Sequence, residues 1–338
     1  MNMSRVIISI LSEHLVPNFL FIKEVANDDD ILVLISTEYT QKQNIAERLE
    51  KALGLQSNDI ERVQVQNDDF DHTMKALEAA DFNWQDEYIV NLTGGTKIMS
   101  IATYEFFKDM RDSHQAKVRF VYVPFGDNSY CNLDDEQSHP FTTQITLKEY
   151  FYMYGINYQS ETNLLKSENT TFDLFNKVKQ KNFILLGKMR HSQELPDNKD
   201  KRYYGGEWFE EYTYLRVKKE LKLGEEQIAH SLKIFREGEE QSTNDNELDV
   251  AFVYQNRLYV MECKTAMRGR MGSEGTIEET LYKLAAVIKN YGLKVKSYLV
   301  TLHSPAKLTT QGVKKRREIL GISGIIDRSA LSAARLQL

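Results

Sequence analysis

Asp249, Glu262 and Lys264 have the residue types and the spacing of a site for phosphodiester hydrolysis. Two neighbouring carboxylates attract Mg²⁺ or Mn²⁺, which prefer carboxylate, backbone carbonyl and water oxygens as ligands. A metal ion held there could polarise a phosphoryl oxygen and lower the pKa of an attacking water. The lysine ammonium could hold that water or stabilise the charge that develops on the phosphorane. Asp…Glu-x-Lys occurs often by chance, so the fold around it has to support this interpretation.

A predicted hairpin brings the two acids together. The stretch NELDVAFVYQNRLYVMECKTA, residues 246–266, consists of two apolar runs that break at Gln255-Asn256. If these two residues form the loop, Asp249 lies directly opposite Glu262, and both side chains point to the same face of the sheet. Like charges that face each other across two strands are destabilising. A divalent cation bound between them would relieve the repulsion.

The surroundings of the hairpin leave several roles open. In the same register Lys264 lies opposite Glu247, so a cross-strand ion pair is an alternative to a catalytic lysine. The preceding helix, in GGEWFEEYTY, offers a third acid, and the candidates are Glu207, Glu210 and Glu211. Each of these could instead face solvent, as charged helix residues usually do. Lys283, in LYKLAAV, could face the cleft or extend along the surface.

A second candidate site follows the apolar segment Tyr88–Leu92. The next residues, which lead straight into a predicted helix, are Thr93, Gly94, Gly95, Thr96 and Lys97. Free amides, the helix dipole and the lysine would favour an anion, and the glycines let backbone approach it closely. The loop matches neither the Walker A pattern nor the dinucleotide-binding glycine pattern, which disfavours those cofactors. Glycines in such a turn often serve the turn alone, and that alternative stays open.

The elements of the first part of the chain alternate as in a parallel α/β sheet. Near-continuous apolar strands indicate that helices cover the sheet on both faces. The predicted strands are Val6–Leu11, Ile31–Ser36, Arg62–Gln66, Tyr88–Leu92 and Val118–Val123. The predicted helices are Leu15–Val25, Gln41–Leu53, His72–Asp81 and Lys97–Arg111. Ligands of doubly wound sheets bind beyond the carboxyl ends of the strands, which is where the second candidate site lies.

Length and charge indicate two domains. The 338 residues exceed one typical core, and the polar stretch Ser160–Thr171 suggests a boundary. Residues 1–160 carry 13 Lys and Arg against 25 Asp and Glu, a balance of −12, whereas residues 161–338 carry 30 against 24, a balance of +6. The second part is therefore more tolerant of a polyanion, although a solvated acidic surface explains the split equally well. Beyond the hairpin we predict a helix, Ile277–Tyr291, and a strand, Val295–Thr301.

Composition disfavours several other classes of protein. Two cysteines, Cys131 and Cys263, form neither a disulfide framework nor a four-thiolate zinc site, and the seven histidines include no His-x-His or His-x-x-x-His pair. No apolar run approaches the roughly 20 residues of a membrane span. The short stretch Val6–Leu11 makes a better first strand than a signal peptide. We therefore expect a cytoplasmic protein without a membrane partner.

Taken together, these motifs resemble a known family. The hairpin and its preceding glutamate helix resemble the PD-(D/E)xK nuclease superfamily. NLTGGTKIMSIATYEFF, with the loop in SEHLVPNFLFI after the first strand, resembles a CARF domain, the cyclic-oligoadenylate sensor of CRISPR systems. GGEWFEEYTY and ETLYKL resemble the C-terminal domain of the CARF-fused ancillary nucleases of type III CRISPR systems. The resemblance covers nearly the whole chain, and the ordered combination is more specific than either motif.

The resemblance implies a fold and an activity. Residues 1–158 would form a Rossmann-like CARF domain, a parallel sheet with helices on both faces, and residues 159–338 an α/β restriction-endonuclease-like PD-(D/E)xK domain. A homodimer would bind cyclic tetra-adenylate, an allosteric activator, across its two-fold axis. In type III CRISPR antiviral defence it would then cut DNA or RNA with Mn²⁺ or Mg²⁺. Single strands would be the main substrate, with nicking of duplex DNA as a further option.

The resemblance also implies residue roles. The metal ligands would be Asp249, Glu262 and the backbone carbonyl of Cys263, with Lys264 as the catalytic lysine and Glu210 as the third catalytic acid. Glu207 sits between Gly206 and Trp208, which leaves the choice among Glu207, Glu210 and Glu211 open. Where relatives tend to have Gly-Gly after the LYKL helix, this chain has Tyr291-Gly292, which touches no catalytic role. The residues that would line the messenger site are Ser12, Asn18, Thr37, Thr93, Gly94, Gly95, Thr96 and Lys97.

Two other functions are consistent with the same sequence. One is a messenger-gated nucleic-acid-binding regulator with an inactive nuclease fold, against which the intact Asp249, Glu262 and Lys264 argue. The other is a nuclease that acts without a messenger and uses its first domain for dimerisation only. The sequence leaves open DNA versus RNA, the ring size of the activator and the preferred metal. It shows no clear nucleophile with which the CARF domain would degrade its activator.

Overall fold

The structure, a computed structural model, divides into two compact units, Met1–Gly155 and Ile156–Leu338. The residues that it describes are 3–55, 60–124, 126–161, 163–179, 198–239, 246–265, 273–303, 308 and 310–338. Among the helices of this described part, none is both long enough and apolar enough to cross a membrane. Each unit contains its own sheet and its own buried core, which confirms a two-domain α/β architecture.

A sheet of seven described strands organises the first unit. Its strands are β1 (Arg5–Ile10), β2 (Ile31–Thr37), β3 (Ile60–Val65), β4 (Glu87–Asn91), β5 (Lys117–Tyr122), β6 (Ser129–Asn132) and β7 (Ser138–Pro140). Their order is β3-β2-β1-β4-β5-β6-β7; the first five are parallel, and β6 and β7 continue the sheet antiparallel. The parallel core was predicted. The antiparallel extension was not, because its short strands are only half-buried and lack the apolar pattern of a core strand.

Helices of the first unit pack against this sheet. They are α1 (Val16–Val25), α2 (Glu38–Lys42), α3 (Ile45–Leu53), α4 (Phe70–Ala79), α5 (Lys97–His114) and α6 (Leu147–Met153). The prediction of one helix over Gln41–Leu53 is wrong: Asn44, with φ of 52°, takes the left-handed conformation and separates α2 from α3. Ile8, Val33, Val90 and Phe107 are among the buried side chains of the core. Strands buried along nearly their whole length explain the continuous apolar runs of the sequence.

A six-stranded mixed sheet organises the second unit. Its strands are β8 (Ile156–Gln159), β9 (Ile228–Arg236), β10 (Asn246–Tyr254), β11 (Arg257–Lys264), β12 (Lys296–Thr301) and β13 (Gly324–Ile326). In the order β13-β12-β11-β10-β9-β8, β8 to β11 pair antiparallel, and β11, β12 and β13 pair parallel. Strand β8 hydrogen bonds to β9, so the boundary expected between residues 158 and 159 falls inside a strand of this sheet.

The described helices of the second unit include the one that carries the candidate acids. They are α7 (Glu168–Lys179), α8 (Asn198–Arg202), α9 (Trp208–Leu221), α10 (Ser273–Ile288), α11 (Gln311–Ile319) and α12 (Arg328–Ser332). A short π-helical segment, Tyr203–Glu207, joins α8 to α9 and contains Gly205 and Gly206. Trp208, Phe209 and Tyr212 of α9 are buried in the core of this unit. That packing fixes which side of α9 faces the sheet.

The hairpin of β10 and β11 has the predicted turn and register. Gln255 and Asn256 both have positive φ, 49° and 58°, as a two-residue type I′ turn requires. The paired residues are Tyr254 with Arg257, Val253 with Leu258, Phe252 with Tyr259, Ala251 with Val260 and Val250 with Met261. Each pair agrees with the register predicted from the sequence. One position further along that register lie Asp249 and Glu262.

Candidate functional site

Asp249 lies where β10 leaves regular pairing with both of its neighbours. On the β11 side the ladder ends at Val250 and Met261, one residue before Asp249. On the β9 side Leu248 and Val250 of β10 are paired with residues of β9, but Asp249 between them is not. Its carboxylate turns toward β11, where Oδ2 accepts a hydrogen bond from the backbone N–H of Cys263 at 2.6 Å. A side chain therefore takes over a donor that the regular ladder would otherwise use.

Lys264 lies between the two opposed carboxylates. Its Nζ is 2.7 Å from Glu262 Oε1 and 3.5 Å from Asp249 Oδ2. The structural alternative, an ion pair with Glu247, is not the contact that the structure shows for this lysine; Glu247 lies opposite Lys233 on β9. The acids are almost enclosed, with side-chain exposures of 12% for Asp249 and 8% for Glu262, so their charges are poorly screened by water.

Packing of α9 separates the three candidate acids upstream. Glu207 pairs with Arg202 through two contacts of 2.8 Å, and Glu211 is buried and accepts a hydrogen bond from the backbone N–H of Leu165. Glu210 accepts a hydrogen bond at 2.8 Å from the hydroxyl of Ser231 on β9, the strand next to β10, and the charge of Asp249 acts on it. Among the three, Glu210 is therefore the acid that the structure brings to the carboxylate pair.

Burial and neighbouring acids raise the pKa values of two carboxyl groups at this site. Burial first, and then the charge of Glu262, raise the pKa of Asp249 to about 6. Burial and then the charge of Asp249 raise the pKa of Glu210 to about 8. Burial alone would lower the pKa of Lys264, but the neighbouring charges of Asp249 and Glu262 outweigh it and raise that pKa. One lysine thus only partly compensates the acids, and a further cation would be favourable.

The donor set suits a hard divalent cation that keeps part of its water shell. Among the described residues, no three His, Cys, Asp or Glu side chains converge into a group that could by itself hold a metal. Mg²⁺ commonly binds through one or two carboxylates and retains several waters, so it does not require such a group. The oxygens of Asp249 and Glu262, with the Cys263 carbonyl, fit that chemistry. The roles of these residues as ligands stay predictions.

Lys283 is a second ammonium close to the site. It extends from α10 with 63% of its side chain exposed, and its Nζ is 4.0 Å from Glu262 Oε1. Of the two alternatives open from the sequence, the side chain combines both: it is exposed, and it ends near the carboxylates. Lys283 therefore adds a second positive charge close to Glu262.

Removing the carboxyl of Glu210 should stabilise the protein without metal at high pH. A carboxyl whose pKa is raised in the fold contributes stability that is complete below its unfolded value and is lost as pH rises through its folded value. For Glu210 that window runs from 4.5 to about 8. We expect Glu210→Gln to raise the unfolding temperature by roughly 3–6 °C near pH 9, and to leave it unchanged near pH 4.

Thermal unfolding followed by circular dichroism, with a chelator present, measures this difference. Glu207→Gln is the matched control, because that carboxylate is already paired with Arg202 and should gain nothing when neutralised. If Glu210→Gln had the same unfolding temperature as the unmodified protein at both pH values, the raised pKa would be contradicted.

The topology of the first sheet places the second candidate site. Strands β1 and β4 are neighbours in the sheet. The chain continues from β1 to β2 toward one edge of the sheet and from β4 to β5 toward the other edge, and such a reversal of strand order creates a crevice at the carboxyl ends of the two strands. Gly94, in the loop after β4, crosses close to the end of β1: a Cβ at this residue would lie 1.8 Å from the carbonyl oxygen of Ile10. Lys97 is exposed at the first position of α5. The loop lies between the end of β4 and the start of α5, as the sequence predicts, and its role as a binding site stays a prediction.

Two residues expected to line the messenger site, Asn18 and Thr37, have buried side chains that already make hydrogen bonds within the protein. Asn18 is fully buried, and its Nδ2 donates to Ser9 Oγ at 2.8 Å and to the Ile10 carbonyl at 2.9 Å. Thr37 is buried at the N-cap of α2, next to a groove of 650 Å³ that it helps to line. Asn18 binds the end of β1 and Thr37 caps α2, and direct contact of either side chain with a messenger stays a prediction.

The remaining threonines of the loop hold its shape. Thr93 Oγ1 accepts from the backbone N–H of Val123 at 2.8 Å, while the Thr93 backbone N–H donates to Asn91 Oδ1 at 3.1 Å. Thr96 caps α5 by accepting from the Met99 N–H at 3.3 Å. Ser12 is half-buried and Gly95 is exposed.

Sequence reasoning missed a polar network beneath this edge. Asn91 Nδ2 donates to Ser9 Oγ at 3.3 Å, and the same hydroxyl accepts from Asn18, so all three fully buried residues are connected. A signal was present in the sequence. Ser9 and Asn91 are the polar residues near the ends of two apolar strands that the topology makes neighbours.

Both parts of the chain match families of known proteins. A family model of the Card1 CARF domain matches residues 6–150, and a family model of the Card1-like endonuclease domain matches residues 197–327. No curated protein matches the sequence. The two family models together cover both candidate sites, whereas β8 (Ile156–Gln159) lies outside the matched residues.

Solved structures share the fold over almost the whole chain. Can2 from Sulfobacillus thermosulfidooxidans, in complex with cyclic tetra-adenylate, has a TM-score of 0.74 and 23% identity, with 97% of each chain covered. Protein VC1899 from Vibrio cholerae has a TM-score of 0.75 and 18% identity, with 97% of this chain and 95% of that chain covered. A type III CRISPR defence DNA nuclease activated by cyclic oligoadenylate has a TM-score of 0.58 and 15% identity; 90% of this chain but 47% of that chain is covered.

Proposed function

Because the chain belongs to the family that joins a Card1 CARF domain to a Card1-like endonuclease domain, the ancillary nucleases of type III CRISPR systems, we propose that it is a metal-dependent endonuclease switched on by cyclic tetra-adenylate. The observation that carries the proposal is the enclosed cluster of Asp249, Glu262, Lys264 and Glu210. Proteins rarely keep buried like charges for stability alone, whereas a site that binds a cation and cuts phosphodiesters needs them.

In this proposal each residue of the cluster has a distinct task. Asp249 and Glu262, with the Cys263 carbonyl, would hold Mg²⁺ or Mn²⁺, and Glu210 would complete the negative pocket. The metal, when bound, supplies Lewis acidity toward a phosphoryl oxygen and a bound water of lowered pKa. The Lys264 ammonium, released from its two carboxylates by the cation, would stabilise negative charge as the phosphorane forms. The result would be a PD-(D/E)xK type of hydrolysis.

The first domain would provide the control. Backbone amides after β4, the N-terminus of α5 and Lys97 supply local donors to an anion, although the charge balance of −12 over residues 1–160 repels anions at long range. A ring of four adenylates has two-fold symmetry, which fits an isologous homodimer. Its binding would favour the cutting-competent arrangement through its differential affinity for two states.

Cleavage assays test the proposal as a whole. Full-length protein would be incubated with Mn²⁺ and labelled single-stranded RNA, single-stranded DNA or supercoiled plasmid, each with and without cyclic tetra-adenylate. We expect cutting that needs the messenger and disappears in the Asp249→Ala/Glu262→Ala double variant. Cutting that ignores the messenger would identify a messenger-independent nuclease. Messenger binding without any cutting would identify a regulator with an inactive nuclease fold.

Lys97→Glu should remove the response to the messenger and leave any basal cutting unchanged. The substitution replaces an exposed cation at the helix N-terminus by an anion, which opposes a phosphate there. We expect messenger affinity to fall at least ~100-fold, measured by calorimetry with cyclic tetra-adenylate. Lys108→Glu, on the same helix but outside the loop, is the control. Unchanged activation of the Lys97 variant would refute this role.

A further inference from the structure

Ser231 has a backbone conformation that strands do not normally contain. It lies inside β9, yet its φ is +48°. The other non-glycine residues of the described part with positive φ lie in turns, in loops or at helix ends: Asn44, Asp68, Asp81, Gln115, Glu136, Lys222, Gln255 and Asn256. A serine in the left-handed region is strained, and such residues persist where the surrounding structure imposes them, often at functional sites.

The position of this strained residue connects it to the acidic cluster. The register of β9 and β10 sets Ser231 opposite Asp249. The residues before and after them are paired across the two strands, but Ser231 and Asp249 are not. Ser231 Oγ donates to Glu210 Oε2 at 2.8 Å. A single residue thus interrupts the ladder beside one acid and binds the side chain of another. It links β9 to α9 at the position of β9 that lies opposite Asp249.

We propose that Ser231 is a positioning residue, held in the left-handed conformation so that its hydroxyl fixes Glu210 beside Asp249 for a divalent cation. This inference rests on the proposed metal-dependent activity and adds to it a residue that the sequence motifs do not include. The Ser231 hydroxyl donates to Oε2 of Glu210, which would fix the orientation of that carboxylate for a cation held near Asp249. In a regular strand the ladder would continue through Ser231 and Asp249, and both side chains would follow the alternation of the sheet.

Ser231→Gly separates this role from a structural one. Glycine adopts positive φ without strain, so the variant should fold and unfold at the same temperature as the unmodified protein or higher. It nevertheless lacks the hydroxyl. We expect Mn²⁺ binding, measured by calorimetry on full-length protein with the metal alone, to weaken ~10-fold, and kcat for cleavage to fall with little change in KM. Gln255→Gly is the matched control, because its φ of 49° is nearly equal and it lies in the hairpin turn.

The Glu210→Ala background shows whether the hydroxyl acts through Glu210. The double variant Ser231→Gly/Glu210→Ala should bind Mn²⁺ with the same affinity as the single variant Glu210→Ala, since the carboxylate that the Ser231 hydroxyl binds is already absent. The inference is overturned if Ser231→Gly binds Mn²⁺ within about twofold of the unmodified protein, or weakens binding equally in the Glu210→Ala background. Mn²⁺ binding without cleavage by the unmodified protein would overturn the nuclease function and leave this role standing. Failure of the unmodified protein to bind Mn²⁺ would overturn both.

Discussion

Asp249→Asn should abolish cleavage while the protein becomes more stable without metal. The amide keeps the size of the side chain, so the fold around the hairpin has no reason to change. It removes the charge that, with Glu262, would hold the cation, and a rate loss of at least ~10³-fold is expected. Since the fold raises the pKa of Asp249 to about 6, the ionised carboxylate is less favourable in the folded than in the unfolded chain. A neutral side chain therefore stabilises the fold above that pH.

Single-turnover cleavage and thermal unfolding at pH 8, with a chelator in the second assay, measure the two effects on the same preparation. Glu247→Gln is the control: it makes the same type of change two residues away on β10, at an exposed position opposite Lys233. It should retain activity and show no gain in stability. If Asp249→Asn cut at the rate of the unmodified protein, the carboxylate would have no catalytic part. Loss of activity together with a lower unfolding temperature would indicate a structural role.

Opposite changes in activity and stability are typical of functional sites, where charges are kept close together despite their mutual repulsion. In this molecule Lys264 contacts Asp249 and Glu262. The pKa values of Asp249 and Glu210 are nevertheless raised, first by burial and then by the charge of a neighbouring acid. A buried ion pair formed only for stability would have matched charges. The excess of acid over base is therefore the feature that distinguishes a cation site from a structural salt bridge.

The hairpin could be predicted from sequence because its determinants are local. A two-residue turn fixes the register, the register fixes which side chains are opposed, and Gln255-Asn256 takes the positive φ values that such a turn needs. The choice among Glu207, Glu210 and Glu211 could not be predicted in this way. It depends on how α9 is rotated against the sheet, and buried Trp208 and Phe209 determine that rotation.

Strand β9 escaped prediction for a related reason. Its sequence, IAHSLKIFR, alternates imperfectly because His230 is buried and Ser231 departs from the strand conformation. The departure that weakens the pattern is the one that brings the hydroxyl of Ser231 to Glu210. The alternating pattern that predicts a strand is therefore weakest where the backbone of β9 is shaped by a contact with α9.

The candidate messenger site differs in which of its features could be predicted from the sequence. Strand ends that are neighbours in a doubly wound sheet can be located from the order of the elements, so the edge near Gly94 and Lys97 was predictable. Whether a polar residue there faces a ligand or supports the floor depends on packing. Asn18 and Thr37 carry suitable groups for a ligand, but both residues are buried and their side chains already make hydrogen bonds, and Thr37 also lines a groove.

Gly94→Ala should abolish messenger binding. A Cβ at this position would lie 1.8 Å from the carbonyl oxygen of Ile10 and 2.8 Å from the carbonyl carbon of the same residue. Both distances are severe steric clashes. The obstacle is backbone that Asn18 also holds through its amide, so no side-chain rotation relieves the clash. The loop has to move away from the end of β1, and with it the amides that lead into α5. We expect the affinity for cyclic tetra-adenylate to fall at least ~100-fold.

Calorimetry with cyclic tetra-adenylate, and messenger-dependent cleavage, measure the loss. Gly205→Ala is the matched control, because a Cβ there meets nothing within 4 Å and the residue lies outside the first unit. It should bind the messenger normally. Metal-dependent basal cutting and Mn²⁺ binding should survive in Gly94→Ala, since the carboxylate cluster belongs to the other unit and has its own core. Normal messenger affinity in Gly94→Ala would mean that the loop after β4 does not form the site, whereas loss of both functions would mean that the substitution unfolds the chain.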